Sequence, residues 1–460
     1  AWRLLTRSFL PQPSHNLLSY TPMIHARLFC ESSKFRDAHF QPLRTSLSSS
    51  SPPCHPEYYL DGHPKLDRPL FVQFCANDPN ELLNAAKYVS PFCDAVDLNL
   101  GCPQAIAKKG NYGAFLQEDQ ELIFSLINIL HRELDIPVTA KIRILETKEK
   151  TLAYAQNILN AGASILTVHA RTREMKGHKT GLADWSVIKF LRQNLPKDTV
   201  IFANGNILQH KDLDECLKET GADAVMSAEG NLHSPAIFAE SPKIGEEGRE
   251  YWRGRDGREG WRMDAVFRRY IDIIYKYVLE LSSPLPDRKP LYLPSDLAPE
   301  SNSIKNQEGK RERHVDEEEI LPAIKKKPKK TKREKTTNPN LVAMLPHLFR
   351  LLGPLLTRHH HVRDALAKCR AGDMAGFETV LQMVEEVIKE GLDQYAVTKG
   401  KSWEEELEKD TISKPLDQSS ELAEEIGGNK AETRRVLLDG ENSAATVWAC
   451  KQPWWVIQPH

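Results

Sequence analysis

Residues 70–100 read LFVQFCANDPNELLNAAKYVSPFCDAVDLNL. The run Leu70 to Cys75 is short and almost wholly apolar, as a strand buried on both faces should be. Asp78-Pro79 then opens a helix, with a carboxylate to cap the free N–H groups and a proline whose fixed φ suits the first turn. That helix carries Leu82, Leu83, Ala86 and Val89. A second apolar run, Ala95 to Leu98, follows it. Two such strands joined through a helix form a βαβ crossover and lie parallel in one sheet.

The alternation extends in both directions. Leu18 to His25, LSYTPMIH, reads as a strand ahead of it. Behind it come an amphipathic helix over Glu118 to Leu134, a strand over Val138 to Ile142 and a helix over Thr151 to Asn160. Then follow a strand over Ile165 to Val168, a helix with Trp185, Ile188 and Leu191, a strand over Val200 to Ala203, a helix over Lys211 to Thr220 and a strand over Ala224 to Met226. The expected class is α/β, a TIM (β/α)8-type barrel; seven strands are counted where a closed barrel needs eight. A doubly wound open sheet is the alternative. No Gly-rich fingerprint follows an early strand, and polar groups follow nearly every strand, which argues against it.

The barrel segment is expected over residues 1–240, beginning with a helix broken by Pro11 and Pro13 and including a long connection over residues 41–69. From Ser241 the alternation stops in a charged, Gly-rich stretch. An all-α region is expected over 241–282 and 341–398, from helices over Trp261 to Leu281, Leu341 to Leu356, Val362 to Lys368 and Phe377 to Glu390. Residues 283–340, rich in Pro, Lys and Glu, read as a disordered insertion, and 399–460 as a tail of undefined structure. The insertion holds KKKPKKTKREK at Lys325 to Lys335, which is either a solvated segment or a nuclear-targeting or RNA-tethering one.

The net charge of −1 does not announce a nucleic-acid partner. None of the eight cysteines has C-x-x-C spacing, so neither a zinc site nor a disulfide framework is indicated, and a reducing compartment is expected. His359-His360-His361 has no acidic or Cys partner nearby, so no metal is expected. The longest apolar runs fall far short of the ~20 residues of a membrane span.

In a barrel the chemistry sits at the C-terminal ends of the strands. The stretch from Asp97 to Phe115, DLNLGCPQAIAKKGNYGAF, places Cys102 on a Gly/Pro turn just past a strand end, where packing does not require a thiol. Cys30, Cys75, Cys93 and Cys216 read instead as small core residues. The other ends bring Gln73, Lys141, His169, Arg171, Arg173, Asn204, Gly205, Asn206, Ala228 and Glu229. This set suits flavin mononucleotide: Gln73 and Lys141 for the polar edge of the ring, Asn204-Gly205-Asn206 and the turn from Ser227 to Gly230 for phosphate.

The motifs VQFCAND, DLNLGCPQ, TAKIR, TVHARTRE, FANGNI and VMSAEGNLHSPAIF resemble, in order and spacing, those of the tRNA-dihydrouridine synthases, and most closely the eukaryotic branch acting on D-loop uridines 16 and 17. The resemblance implies an FMN-dependent barrel whose first strand is absent from this chain, leaving two unpaired edges. It implies a helical domain that grips tRNA and NADPH as reductant. Cys102 matches the proton donor; Gln73, Lys141, His169, Asn204, Asn206, Ala228 and Glu229 match the flavin contacts. Lys108, Lys109, Arg171, Arg173 and Lys176 are expected to meet RNA. A monomer in cytoplasm or nucleus is expected. Two alternatives stand beside this reading: a small-molecule FMN pyrimidine oxidoreductase, and a flavin-free tRNA-binding protein.

Overall fold

The computed structural model describes residues 1–11, 17–45, 47, 57–255, 257–281, 288–297, 338–403 and 453–457. The basic run at Lys325 to Lys335, most of the expected insertion and most of the expected tail lie outside the described residues. A helix, α1 (Trp2–Arg7), precedes the sheet. The LSYTPMIH strand is two short pieces, β1 (Ser19–Tyr20) and β2 (Ile24–His25), both parallel to β3 (Leu70–Cys75). Tyr20 pairs with Phe71 and Ile24 with Phe74, so three residues oppose two and the strand is interrupted at Pro22, which has no N–H to give.

Helices α2 (Ala26–Glu31) and α3 (Ser33–His39) follow β2. From β3 the alternation is regular. It runs α4 (Pro79–Val89), β4 (Ala95–Leu100), α5 (Ala105–Gly110), α6 (Gln120–Glu133), β5 (Val138–Arg143) and α7 (Lys148–Asn160). It continues through β6 (Ile165–His169), α8 (Trp185–Asn194), β7 (Val200–Asn204), α9 (Lys211–Thr220), β8 (Ala224–Met226) and α10 (Glu229–His233). Side-chain caps start α4, α6, α7 and α8: Asp78 accepts from the Glu81 N–H at 2.8 Å, Asp119 from Leu122 at 3.0 Å, Thr147 from Lys150 at 3.2 Å and Asp184 from Ser186 at 3.0 Å.

The strands are parallel and neighbour one another in chain order from β3 to β8. This is a TIM-type α/β sheet that stops short of closure: among the described residues β8 pairs only with β7, and β1 only with β3. Helix α1 ties the two ends together. Its Trp2 Nε1 donates to Asn231 Oδ1 of α10 at 3.0 Å. Its Arg3 and Arg7 converge on Asp67, just ahead of β3, at 2.8 and 2.7 Å, and Arg7 also donates to the Leu17 and Pro69 carbonyls. Burial alone would raise the Asp67 carboxyl, but the two guanidinium groups hold it down at about 2.

Leu5 and Phe9 belong to a second core, so the start of the expected barrel segment packs with the helical region instead. That region opens with a hairpin of β9 (Tyr251–Arg253) and β10 (Glu259–Trp261), where the sequence reading had only a charged stretch; three-residue strands are too short to show a period. Then come α11 (Met263–Ile273), α12 (Pro339–Leu351), α13 (Gly353–Arg358), α14 (His360–Lys368) and the long α15 (Met374–Thr398). Their core includes Phe267, Tyr270, Met344, Leu348, Phe377 and Leu381. No helix among the described residues is long and apolar enough to cross a membrane.

Residues 453–457, expected to be part of an undefined tail, return to this core. Met263 N–H donates to the Trp455 carbonyl at 3.0 Å and Ile457 N–H to the Trp261 carbonyl at 2.9 Å. Trp454 lies so close to α15 that a Cβ on Gly391 would sit 2.6 Å from its ring. Replacing Trp455, 3% exposed, with Ala should therefore cost the helical region about 3 kcal/mol. Urea melts followed by tryptophan fluorescence will read this; a midpoint equal to wild type would show the segment to be only loosely attached.

Candidate active site

Strand register builds the site. Gln73 pairs with Asp97 and Asp97 with Thr139; Asn99 pairs with Lys141; Arg143, His169, Asn204 and Met226 stand side by side across β5 to β8. Side chains alternate along each strand, so these residues share one face. The other face carries Val72, Phe74, Leu98, Ala140, Ile142, Leu166 and Val168 into the strand–helix core.

Along this row, Lys141 Nζ donates to Asn204 Oδ1 at 2.8 Å, and Asn204 Nδ2 donates to the Met226 carbonyl at 2.8 Å. Arg171 Nη1 donates to His169 Nε2 at 3.1 Å, and Nη2 to Asn206 Oδ1 at 2.6 Å. Asn206 (φ 58°) and Gly205 (φ 115°) are both left-handed, and a Cβ on Gly205 would sit 2.7 Å from Ala183 Cβ and 3.3 Å from His169 Cδ2. The turn thus brings Asn206 back toward His169.

Burial sets the charge states. It lowers Lys141 to about 8, with Arg143 repelling the charge further and Asp97 partly offsetting both. It raises Asp97 to about 6 against the hydrogen bonds of Thr139 and Gln73. It pushes His169 far below its ordinary range, helped by the cations of Lys141, Arg143 and Arg171, so the imidazole is neutral and accepts at Nε2. The row combines amide donors, the titratable Lys141 ammonium, the Arg143 guanidinium and one neutral imidazole, a set that fits a planar, polar-edged ring able to take up negative charge.

Cys102 is half-buried on the turn after β4. Its N–H donates to Asn99 Oδ1 at 2.9 Å, and its carbonyl accepts from Ala114 N–H at 3.1 Å. Gly113 (φ 66°) permits this approach: a Cβ there would lie 2.9 Å from the Cys102 carbonyl oxygen. Cys75, Tyr112, Met23 and Phe115 form the apolar wall beside the thiol. Burial pushes Cys75 up to about 12, so it stays a thiol.

Two loops close on one another through buried Arg143. Its Nε donates to the Gly101 carbonyl at 2.8 Å, and Nη1 to those of Thr172 and Met175 at 2.7 and 3.2 Å. Lys176 Nζ donates to the Pro103 carbonyl at 2.6 Å, and Arg173 to the Ala114 carbonyl at 3.2 Å and to Glu118 at 2.6 Å. Three side chains expected to meet RNA, Arg171, Arg173 and Lys176, are thus engaged by the protein itself. Arg173 and Lys176 line a cleft of about 590 Å³ that also includes Lys108, Asn111 and Phe115. Lys108 and Lys109 are exposed on α5.

Ala228 and Glu229 are exposed at the start of α10, beyond β8. Ser227 Oγ donates to the Ile207 carbonyl at 2.8 Å, which holds this turn against the one after β7. The Glu229 carboxylate pairs with Arg350 of α12 at 3.3 Å. Asp97, Asn99 and Arg143 were not assigned roles in the sequence reading. Their signal was present in the period-two polar positions Asp97/Asn99, Thr139/Lys141/Arg143 and Thr167/His169 within otherwise apolar strands. Among the described residues no group of three or more His, Cys, Asp or Glu side chains could hold a metal ion.

Comparison with known proteins bears on this site. The family model described as dihydrouridine synthase matches residues 2–259. The NAD(P)(+) tRNA-dihydrouridine(16/17) synthase of Saccharomyces cerevisiae is 41% identical over 396 residues, covering 86% of this chain and 72% of that protein. The protein of that name in Schizosaccharomyces pombe is 40% identical over 418 residues, 90% of this chain and 82% of its own. A mouse (16/17) synthase-like protein is 45% identical over 252 residues, 55% of this chain and 48% of its own.

Two outcomes follow from the electrostatics and the loop contacts. His169 has a folded pKa below its ordinary 6.5, so its contribution to stability is present above pH 6.5 and is lost as the pH falls. His169→Asn should remove up to about 1.4 kcal/mol per pH unit of that acid slope, read from urea melts across the range. An unchanged slope would mean that the imidazole titrates alike in the folded and unfolded chain. Arg143→Met should free the Gly101 and Met175 carbonyls and speed alkylation of Cys102 by iodoacetamide about tenfold, read by mass spectrometry. An unchanged rate would show that the loops hold without Arg143.

Proposed function

This chain belongs to the dihydrouridine synthase family, and from that premise we propose that it reduces uridine to 5,6-dihydrouridine in the D-loop of tRNA, at positions 16 and 17, with FMN as cofactor and NADPH as reductant. The observation that carries the reading is the placement of Cys102 at the same sheet end as Gln73, Lys141, His169 and Asn204. The likeness to two yeast (16/17) synthases over most of the chain supports the substrate.

In this reading Gln73, Lys141, His169, Asn204 and Asn206 hold the flavin, with backbone N–H groups of Ala228 and Glu229 toward its phosphate. The pairing of the Glu229 carboxylate with Arg350 fits a backbone role there. Held at this row and reduced by NADPH, a flavin would supply the hydride for C6 of the uracil. Cys102 gives its thiol proton to C5, as a general acid placed by its turn. Asn99 and Arg143 fix that turn, and Lys141, with its lowered pKa, stabilises negative charge at the row. The base must leave its stack to arrive, and Lys108 and Lys109 offer charge to the backbone of the extruded strand.

One observation favours a second reading. The sheet has two edges unpaired with each other among the described residues, so a ligand at the row would lack a neighbour strand on one side. A tRNA-binding protein without flavin would show this. Cys102→Ala should cut dihydrouridine formation at least about 100-fold, measured by mass spectrometry of tRNA, while flavin absorbance is kept. Undiminished product would refute the role of Cys102. A colourless wild-type protein that still shifts tRNA on a gel would favour the second reading.

A further inference from the structure

We propose that Asp97 is the positioning residue for the Cys102 turn, acting at a distance through Gln73 and Asn99; the inference rests on the dihydrouridine synthase reading of this site. The links are continuous. Asp97 Oδ1 accepts from Thr139 Oγ1 at 2.6 Å and Oδ2 from Gln73 Nε2 at 2.8 Å. Gln73 Oε1 accepts from Asn99 Nδ2 at 2.7 Å. Asn99 Oδ1 accepts from the N–H groups of Gly101 and Cys102 at 3.0 and 2.9 Å.

The two ends of this chain dictate its middle. A carboxylate can only accept, and backbone N–H groups can only donate. Gln73 and Asn99 each present one donor and one acceptor, so a single orientation of both amides satisfies every link. Turning either one sets oxygen against oxygen or N–H against N–H in a buried place, where an unmade hydrogen bond is costly. Asp97 therefore determines which end of the Gln73 amide faces Asn99, and through it whether Asn99 presents an oxygen to the Cys102 turn. Asp97 is fully buried, with Thr139 buried beside it. A leucine would fill such a position without the desolvation penalty of a carboxylate. The function left for the carboxylate is to set the polarity of the relay.

The experiment reverses that polarity in the whole 460-residue chain. In Asn99→Asp a carboxylate still receives Gly101 and Cys102 N–H but now opposes Gln73 Oε1. The Gln73 amide can turn only by facing its oxygen to Asp97. Adding Asp97→Asn supplies a donor there, and every link is again paired with the direction reversed. Asn99→Asp should lower kcat for dihydrouridine about 100-fold with the KM for tRNA little changed, and the double variant should regain at least about tenfold of that loss. Iodoacetamide alkylation of Cys102, which needs no turnover, should rise in the single variant and fall back in the double.

Recovery in the double variant supports the relay. A double variant no better than Asn99→Asp by either readout overturns it, as does one that does not fold, since all its donors would face acceptors. A wild-type protein that makes no dihydrouridine would refute the proposed function, and the alkylation rates would still decide the relay.

Discussion

The site depends on one constraint, the in-register parallel pairing that sets Arg143, His169, Asn204 and Met226 in a single line across four strands. Parallel pairing sends every strand end the same way, and alternation sends every second side chain to the same face. The apolar face is secured by α4, α6, α7, α8 and α9, which bury the strand–helix core. A slip of one residue in any strand would exchange this core for the polar row. The energy that fixes the core therefore also fixes the site, and no separate scaffold is needed to bring Lys141 within 2.8 Å of Asn204.

A row of polar groups inside a sheet carries a desolvation cost that must be met locally. Here it is met by graded charge. Asp97, Lys141 and Arg143 are each shifted toward their neutral forms by burial, and His169 is kept neutral by burial and further by its three cationic neighbours. Arg143 spends its donors on carbonyls of two different loops and has no carboxylate partner among the described residues. It can therefore brace the Cys102 turn and the loop after β6 without neutralising the positive potential at the row. That potential is what an electron-accepting ring or an RNA phosphate would meet.

Most strands and helices from Leu70 to Asn204 were legible because they are long enough to show a period, and α4, α6, α7 and α8 are each punctuated by a capping Asp or Thr. The site residues at strand ends were legible for the same reason: a strand end predicts a position. The partners of those residues were not. Asp97 and Asn99 lie 24 and 26 residues from Gln73 in sequence, and only strand pairing shows that their amides and carboxylate meet. Arg173 and Lys176 were placed by charge and by their loop after a strand, and their bonds to the distant Ala114 and Pro103 carbonyls were not legible. The return of Trp455 and Val456 to the helical core was hidden likewise, since five residues carry no period and their partner Met263 lies far upstream.

The open sheet gives α1 an importance that its six residues would not suggest. A parallel sheet with two free edges exposes unpaired backbone groups and can spread at the seam. Helix α1 does not replace a strand, because its backbone bonds are internal. What it offers is side chains: Trp2 and Thr6 to Asn231 beyond the last strand, Arg3 and Arg7 to Asp67 before β3. Asp67 accepts from both arginines and from Gly62 N–H, so one buried carboxylate anchors the helix, the preceding loop and the start of β3 together. Since Leu5 and Phe9 of the same segment are buried with α11 and α12, the seam is braced by the helical core. The geometry of the row at the sheet's open side is thereby coupled to the packing of the helical region, and the two cores act on the site as one support.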